Sequence, residues 1–506
     1  MKIPAIITTT FLLCMNLHGQ NDLDAIRYSN LGVNGTSRFI GLGGAFGAVG
    51  ADPTCASYNP AGLGLYRKGE ISFAFSTRNQ NNSATLYNTA NRQLNGGLAF
   101  NSLGLVVAWK DEKDIDSRHI LAFTSNQLQN FSKTIRMTGY TRTSSIAQDM
   151  LNLAIVNKSP AYLNYAYEGL GYNTYLLDTF NNQFFSYVDL KRSVKQTRDL
   201  NTSGKVNDIN FSYAYSNKDQ FYFGASLGIP QIRYESTTTH AESDDLDSMR
   251  VTVTSPTTYT TTYIDGLPAI WNDKLGFNSL EYKEYFKTTG TGLNLKLGAI
   301  FRIGPNFRFG MYYHSSTYYT LTDNYYNSLS VRFDYGTKTP ITDKYPGKGG
   351  TFSYTLRTPQ KYSLNGAYLF GKKGLVSMDY ELTDYRSARL SSENVSDFSG
   401  ANDLIQNKYT VGHNLRLGGE LNLKPFLFRA GYAMIGSPFG KVFDGAFVRN
   451  QVSAGVGFRT QNNFFIDITW SGTYSREDYY LFTTLNTKAS LHYSSSMISI
   501  TTGIKF

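Results

Sequence analysis

The stretch from Leu293 to Arg302 alternates. Leu293, Leu295, Leu297, Ala299 and Phe301 form one apolar parity, while Asn294, Lys296, Gly298 and Arg302 hold the other, with Ile300 as the exception. A period of two predicts a β-strand with one greasy and one polar face. The same dyad runs through "FRFGMYYH", where Phe307, Phe309, Met311 and Tyr313 oppose Arg308, Gly310, Tyr312 and His314. It recurs in "FYFGASLGI", "LRLGGEL" and "NFFIDITWSGTY". Soluble sandwiches alternate as well, but several of these runs exceed the usual five or six residues. Short turns fall at 111–117, 216–219, 303–306, 370–374, 423–426 and 460–463. Between them lie long segments rich in Ser, Thr, Asn, Asp and Tyr, at 79–95, 132–205, 236–286, 323–358, 387–409, 437–449 and 476–490. Short turns at one end and long loops at the other are the pattern of an outer-membrane barrel. Six hairpins, a first strand near 69–78 and a last near 491–506 predict about fourteen strands, with both chain ends on the periplasmic side.

The last strand supports this reading. In "MISITTGIKF", Ile498, Ile500, Thr502, Ile504 and Phe506 share one parity, so the chain ends on a lipid-facing strand with a terminal aromatic. That ending resembles the signal read by outer-membrane barrel-assembly machinery. Composition agrees, with 38 Tyr, 33 Phe and 46 Gly against only 17% charged residues, a mix that favours strands and turns. At the other end, Lys2 precedes an apolar stretch from Ile3 to Leu17 and the small residue Gly19. This predicts a secretory signal peptide, residues 1–19, cut after Gly19. No later window offers about twenty consecutive apolar residues for a membrane helix. Removing the signal leaves Cys55 as the single cysteine, and so no internal disulfide.

Residues 20–68 precede the first strand and are rich in glycine and alanine ("GLGGAFGAVG", 41–50). A fourteen-stranded barrel has a lumen wide enough for water unless something fills it. Small residues pack closely against a wall and reach unusual dihedrals, so this segment is expected to fold inward as a plug. A free periplasmic arm is the competing reading. A nucleotide loop is disfavoured, because no strand precedes Gly41 and Gly43 and Phe46 stands at the third glycine site. The expected fold is therefore all-β: a 14-stranded antiparallel transmembrane β-barrel, residues 69–506, with an N-terminal hatch, residues 20–68, inside the lumen.

"SRFIGLGGAFGAVGADPTCASYNPAGLGLYRKGEISF" (37–73) is similar to the hatch of the FadL/TodX family of outer-membrane transporters for hydrophobic compounds. The match includes Asn59, Pro60, Ala61 and Gly62. "AIRYSN" and "EGLGYNTYLLDT" (168–179) resemble the branch common in Bacteroidetes. The resemblance implies fourteen strands, a monomer and passive uptake. A hydrophobic small-molecule ligand is captured by outer loops, enters the barrel and leaves sideways past a kinked strand beside the hatch.

In "RHILAFTSNQLQNF", Leu121 and Phe123 begin an apolar parity that Ser125, Gln127 and Gln129 break, and the apolar residue shifts to Leu128. A bulge near Ser125, Asn126 and Gln127 accounts for the slip and makes these residues the candidate lateral opening. The alternative is a strand that has left the lipid by Ser125. Alternation points Lys296, Arg302, Arg308, Arg416 and Arg459 into the lumen, with Glu420 and Asp467 as counter-charges. Pairing with hatch polar atoms or water is preferred there over a carboxylate-binding path. In the second loop, Ile146, Met150, Leu153 and Ala154 fall at helical spacing behind Ser144 or Ser145 as N-cap. Such a helix faces either a ligand groove or the loop's own core, and Tyr162, Tyr165, Tyr167, Tyr172 and Tyr175 are its candidate aromatic contacts. The net charge of +10, or +9 without Lys2, fits contact with outer-membrane lipid and anionic lipopolysaccharide. No nucleic-acid partner, catalytic residue, cofactor or metal is expected: the six histidines lack metal-ligand spacing, and no G-x-S-x-G elbow occurs. A protein-secretion shuttle or surface interaction protein on the same scaffold is the second functional reading.

Overall fold

A computed structural model describes residues 22–112, 114, 116–246, 249, 252–255, 258–260, 276–334, 339–440 and 448–506. The signal peptide at 1–19 lies outside the described residues. Eighteen strand segments form one antiparallel sheet. Four pairs of segments continue one another, so the sheet has fourteen strands and closes on itself. In chain order these are β1 (Glu70–Leu86), β2 (Thr89–Lys110), β3 (Arg118–Asn130 and Lys133–Thr141), β4 (Val194–Asn217) and β5 (Phe221–Ser243). They continue with β6 (Phe277–Ile303), β7 (Phe307–His314 and Tyr318–Phe333), β8 (Ile341–Arg357 and Lys361–Leu369) and β9 (Gly374–Asp384 and Arg389–Ser391). The last five are β10 (Val411–Leu423), β11 (Phe426–Ile435), β12 (Arg449–Arg459), β13 (Phe464–Tyr480) and β14 (Lys488–Lys505). Closure is made by β1 and β14, paired from Glu70↔Lys505 to Thr85↔Ser490.

The dyad sorts residues as alternation requires. Leu293, Leu295 and Leu297 are exposed on the outside, and Lys296 and Ile300 are buried within. Exposed Phe73, Phe211, Met311, Met378, Phe428 and Ile500 extend the same apolar belt round the ring, a surface that only hydrocarbon makes stable. The six short turns fall where alternation places them. Beyond the belt the strands run on, so β1 and β2 meet in a tight turn at Tyr87 and Asn88, both at positive φ, and 79–95 is hairpin rather than loop. Three further strands, β7, β8 and β9, are interrupted at 315–317, 358–360 and 385–388.

The N-terminal segment contributes two short helices, α1 (Asp22–Arg27) and α2 (Ser37–Gly41), and two 3₁₀ turns, Pro53–Ser57 and Pro60–Leu65. Most residues from Val33 to Leu63 are buried. Their partners are inward side chains on strands all round the ring, which puts the segment in the lumen. At the long-loop end, α3 (Ile146–Asn157) and α4 (Glu168–Asn173) pack over the mouth, and α5 (Ser399–Lys408), between β9 and β10, packs against α1.

Candidate functional site

Short-range chemistry shapes the segment inside the barrel. Asn59 is extended (φ −111°, ψ 98°), and its Oδ1 accepts from Ala61 N at 3.1 Å, capping the turn that Pro60 begins. Its Nδ2 donates to Gly47 O at 2.6 Å, and Ala51 N donates to Gly62 O at 2.9 Å. A Cβ on Gly62 would stand 2.7 Å from Cys55 Sγ. The Asn59–Gly62 motif is thus a clasp between two turns of the segment. Asp52 supplies a second clasp, accepting from Thr54 N at 2.9 Å and Thr36 Oγ1 at 2.7 Å. Burial pushes the Cys55 thiol well up, which keeps it an unreactive packing group.

The wall holds this segment by two devices. One is missing side chains: a Cβ on Gly298 would overlap Asn59 Oδ1, one on Gly224 would overlap Pro60, and one on Gly431 would overlap Gly43. The other is side-chain capture of hatch backbone. Asp379 Oδ2 accepts from Phe46 N and Gly47 N at 2.9 and 2.8 Å, Thr501 Oγ1 from Ser37 N at 2.7 Å, and Thr469 Oγ1 donates to Ser37 O at 2.7 Å.

The five inward cations expected from alternation meet different fates. Lys296 Nζ lies 3.0 Å from Asp208 Oδ2 and 2.8 Å from Asn210 Oδ1. Arg416 meets Glu381 at 3.3 Å, and Arg459 meets Asp467 at 2.9 Å. Arg308 donates to Val49 O at 2.9 Å, a hatch contact. Arg302 is the correction: it is exposed at the short turn after β6 and donates to Pro305 O at 3.2 Å, because its strand has already left the lumen. The expected counter-charges, Glu420 and Asp467, form a chain with Arg38 of the hatch and Arg429 of β11, at 3.1, 2.7 and 2.6 Å. Alternation alone leaves Arg429, Glu381 and Asp208 unremarked, although their parity was available. Buried charges held in this way are compensated rather than free to bind.

Above the hatch the lumen is aromatic. Ala25, Ile26 and Tyr28 from α1 and its exit pack among Phe131, Tyr234, Tyr319, Tyr354, Tyr385 and Tyr409. The end of α1 is anchored by Asp22, which meets Lys408 Nζ at 2.9 Å and Tyr409 OH at 2.5 Å. Higher still, a third apolar cluster joins α3 and α4 to the ends of β1, β6, β7 and β14. Ser145 caps α3, accepting from Ala147 N at 3.0 Å, and Glu242 accepts from Ile146 N at 2.7 Å. Ile146, Met150 and Ala154 face this cluster, so the helix packs against the loops' own core. Tyr167 donates to Asp149 at 2.7 Å within the cap, and Tyr172 packs against its apolar core, whereas Tyr162 and Tyr165 are exposed, Tyr165 stacking on Tyr345. Tyr175 sits at positive φ in the turn before the small hairpin.

Strand β3 breaks at this level. Ser125 and Asn126 lie in regular ladders with β2 (Leu103, Ser102) and β4 (Ile209, Asp208). Gln127 pairs with Asn207 and Gln129 with Val206, which leaves Leu128 as the extra residue. The slip therefore falls on Leu128, one residue beyond the candidate trio. Pairing of β2 with β3 ends at Ser102↔Asn126, and from there β2 pairs only with β1. The outer half of β3 instead crosses the inner side of β1, where Gln80 and Asn82 donate to Ser132 O and Thr134 O at 2.7 and 2.9 Å. The wall has a seam here, lapped rather than laddered. The hatch meets it through Asn126 Nδ2 to Ser57 Oγ at 2.9 Å and Gly32 N to Gln129 Oε1 at 3.2 Å.

Two cavities flank the break. One of about 60 Å³ lies over the hatch among Tyr28, Tyr58, His314, Tyr319 and Lys361. The other, about 100 Å³, lies behind the seam among Arg78, Asn130, Arg449 and Met497. Leu128 and Gly32 line both.

The chain shares its fold with solved structures of low sequence identity. A crystal structure of a Pseudomonas aeruginosa FadL homologue matches with a TM-score of 0.55 and 13% identity over 94% of this chain and 100% of that one. The Pseudomonas putida toluene transporter TodX matches with a TM-score of 0.51 and 11% identity, over 94% and 100%. No family model and no curated protein sequence matches the chain. The fold, with its apolar belt, is that of an outer-membrane barrel.

Proposed function

We propose that this barrel is a passive outer-membrane channel for hydrophobic small molecules, of fatty-acid or aromatic-hydrocarbon type, with release sideways through the seam between β2 and β3. The observation that carries the reading is the bulge at Leu128: it falls just beyond Asn126, where β2–β3 pairing ends, and its side chain lines both cavities. A greasy solute gains nothing from an aqueous pore, whereas an aromatic lumen that opens sideways delivers it to hydrocarbon without a water crossing. The two matched structures, a FadL homologue and a toluene transporter, support the same class. In this reading the loops over the mouth and α1 in the mid-lumen are the parts that yield to a ligand, and the hatch stays clasped.

Deleting Leu128 restores alternation in β3 and tests the reading. In outer-membrane vesicles, the wild-type chain is expected to speed uptake of labelled oleate or toluene over protein-free vesicles. The deletion is expected to remove at least nine-tenths of that gain while leaving a folded, heat-modifiable barrel. Equal uptake by the two proteins would reject lateral release.

A further inference from the structure

The lipid-facing wall carries a separate feature. Just on the short-turn side of the breaks in β7, β8 and β9, the outer surface sinks into a groove of about 560 Å³. Leu297, Met311, Tyr313, Tyr362, Leu364 and Leu382 form it. Alternation places all six on the outward parity. On the far side of the break, Arg357 of β8 and Arg389 of β9 are register partners. They too point outward, because Leu356 and Leu390 beside them are buried.

Like charges set directly opposite each other on a sheet are unfavourable, and among the described residues this pair makes no ion pair with an acid. Arg357 Nη2 donates to Ser387 O at 3.3 Å, and Arg389 Nη1 donates to Arg386 O and Ala388 O at 2.7 and 2.6 Å. The neighbouring carboxylate, Asp384, is engaged by Arg386 at 2.8 Å. Two guanidinium groups thus lie past the apolar groove, across the breaks at 358–360 and 385–388, on the long-loop side. Guanidinium forks match phosphate oxygens in pairs. Aromatic residues with a polar tip mark the same interface, where Tyr362 OH donates to Gln360 Oε1 at 2.6 Å and its ring lies 5.2 Å from Tyr313.

We propose that this face holds a phosphate-bearing membrane lipid, with an acyl chain in the groove and the phosphate across Arg357 and Arg389. The site is on the outside of the wall and is independent of transport through the lumen. Its bound lipid occupies the charge that the sheet leaves uncompensated.

Native mass spectrometry of the purified full chain with diphosphorylated lipid A tests it. The wild-type protein is expected to retain the lipid, and Arg357→Gln with Arg389→Gln is expected to weaken retention at least tenfold. Lys205 and Arg233 are another exposed outward register pair, away from the groove. Changing both to Gln should leave retention unchanged. Ala299→Trp, which fills the groove and keeps both arginines, should also weaken it, and lipid A stripped of phosphate should bind the wild type as poorly as the double arginine variant. Equal losses from the two cation pairs would show general charge attraction, and undiminished binding without Arg357 and Arg389 would show no site; either result overturns the proposal.

Discussion

Gly298, Gly224 and Gly431 each hold the place of a side chain with hatch backbone or a capping group. Their inward parity was legible in the alternation of "LNLKLGAIFR" and its kin. The reason for glycine there was not, because the atoms that fill the space come from residues far away in sequence. Gly298→Val is expected to force Asn59 off its two bonds and to cost about 1–3 kcal/mol as overpacking does, read as a lowered unfolding temperature. Gly366, on the outward side with nothing closer than Phe307 Cζ at 4.0 Å, should accept Ala with little change. Asp379→Ala leaves Phe46 N and Gly47 N without an acceptor, and two buried unpaired donors cost about 1–3 kcal/mol each. That variant should unfold earlier than Gly366→Ala in the same melt. The inward cations were legible by parity, and their partners largely were not: Arg416 finds Glu381 and Lys296 finds Asp208 only once neighbouring strands are in register.

Strand β3 shows how far pattern reading reaches at the scale of an element. The broken alternation after Phe123 marked an irregularity, and the ladder puts it on Leu128 because register belongs to a pair of strands and not to one. The breaks in β7, β8 and β9 left no such trace, because alternation was not followed through 315–317, 358–360 or 385–388, which fall between or at the ends of the segments read as strand and as loop. Helix α3 was visible from its spacing and its cap. What it packs against was not, because the dome is assembled from several loops. Glu242 joins the dome to the wall by accepting from Ile146 N and, at 3.0 Å, from Gln196 Nε2. Glu242→Ala should loosen the dome and leave the barrel intact. Limited trypsin digestion is expected to cut several-fold faster at exposed Lys158, while the β1–β14 closure survives as a heat-modifiable band. Unchanged cutting would mean that the apolar cluster alone holds the cap.

Across the whole molecule, fourteen strands followed from counting short turns, a local signal that needs no knowledge of partners. Closure, the lumen's filling and the seam are long-range properties, and they appear only when residue 70 meets residue 505 and residues 22–66 meet the inner wall. The result is a barrel with a clasped base, an aromatic middle occupied by α1 and an apolar cap. Among the described residues, internal cavities of about 60 and 100 Å³ both border Leu128. The central claim is that hydrophobic ligands pass through that middle and out at the seam. Crystals soaked with a brominated fatty acid or bromobenzene test it most directly by anomalous scattering. The account predicts bromine peaks among Tyr28, Tyr319 and Tyr354 and beside Leu128 at the seam. Bromine confined to the outer belt, with the lumen unchanged at saturating ligand, would contradict it.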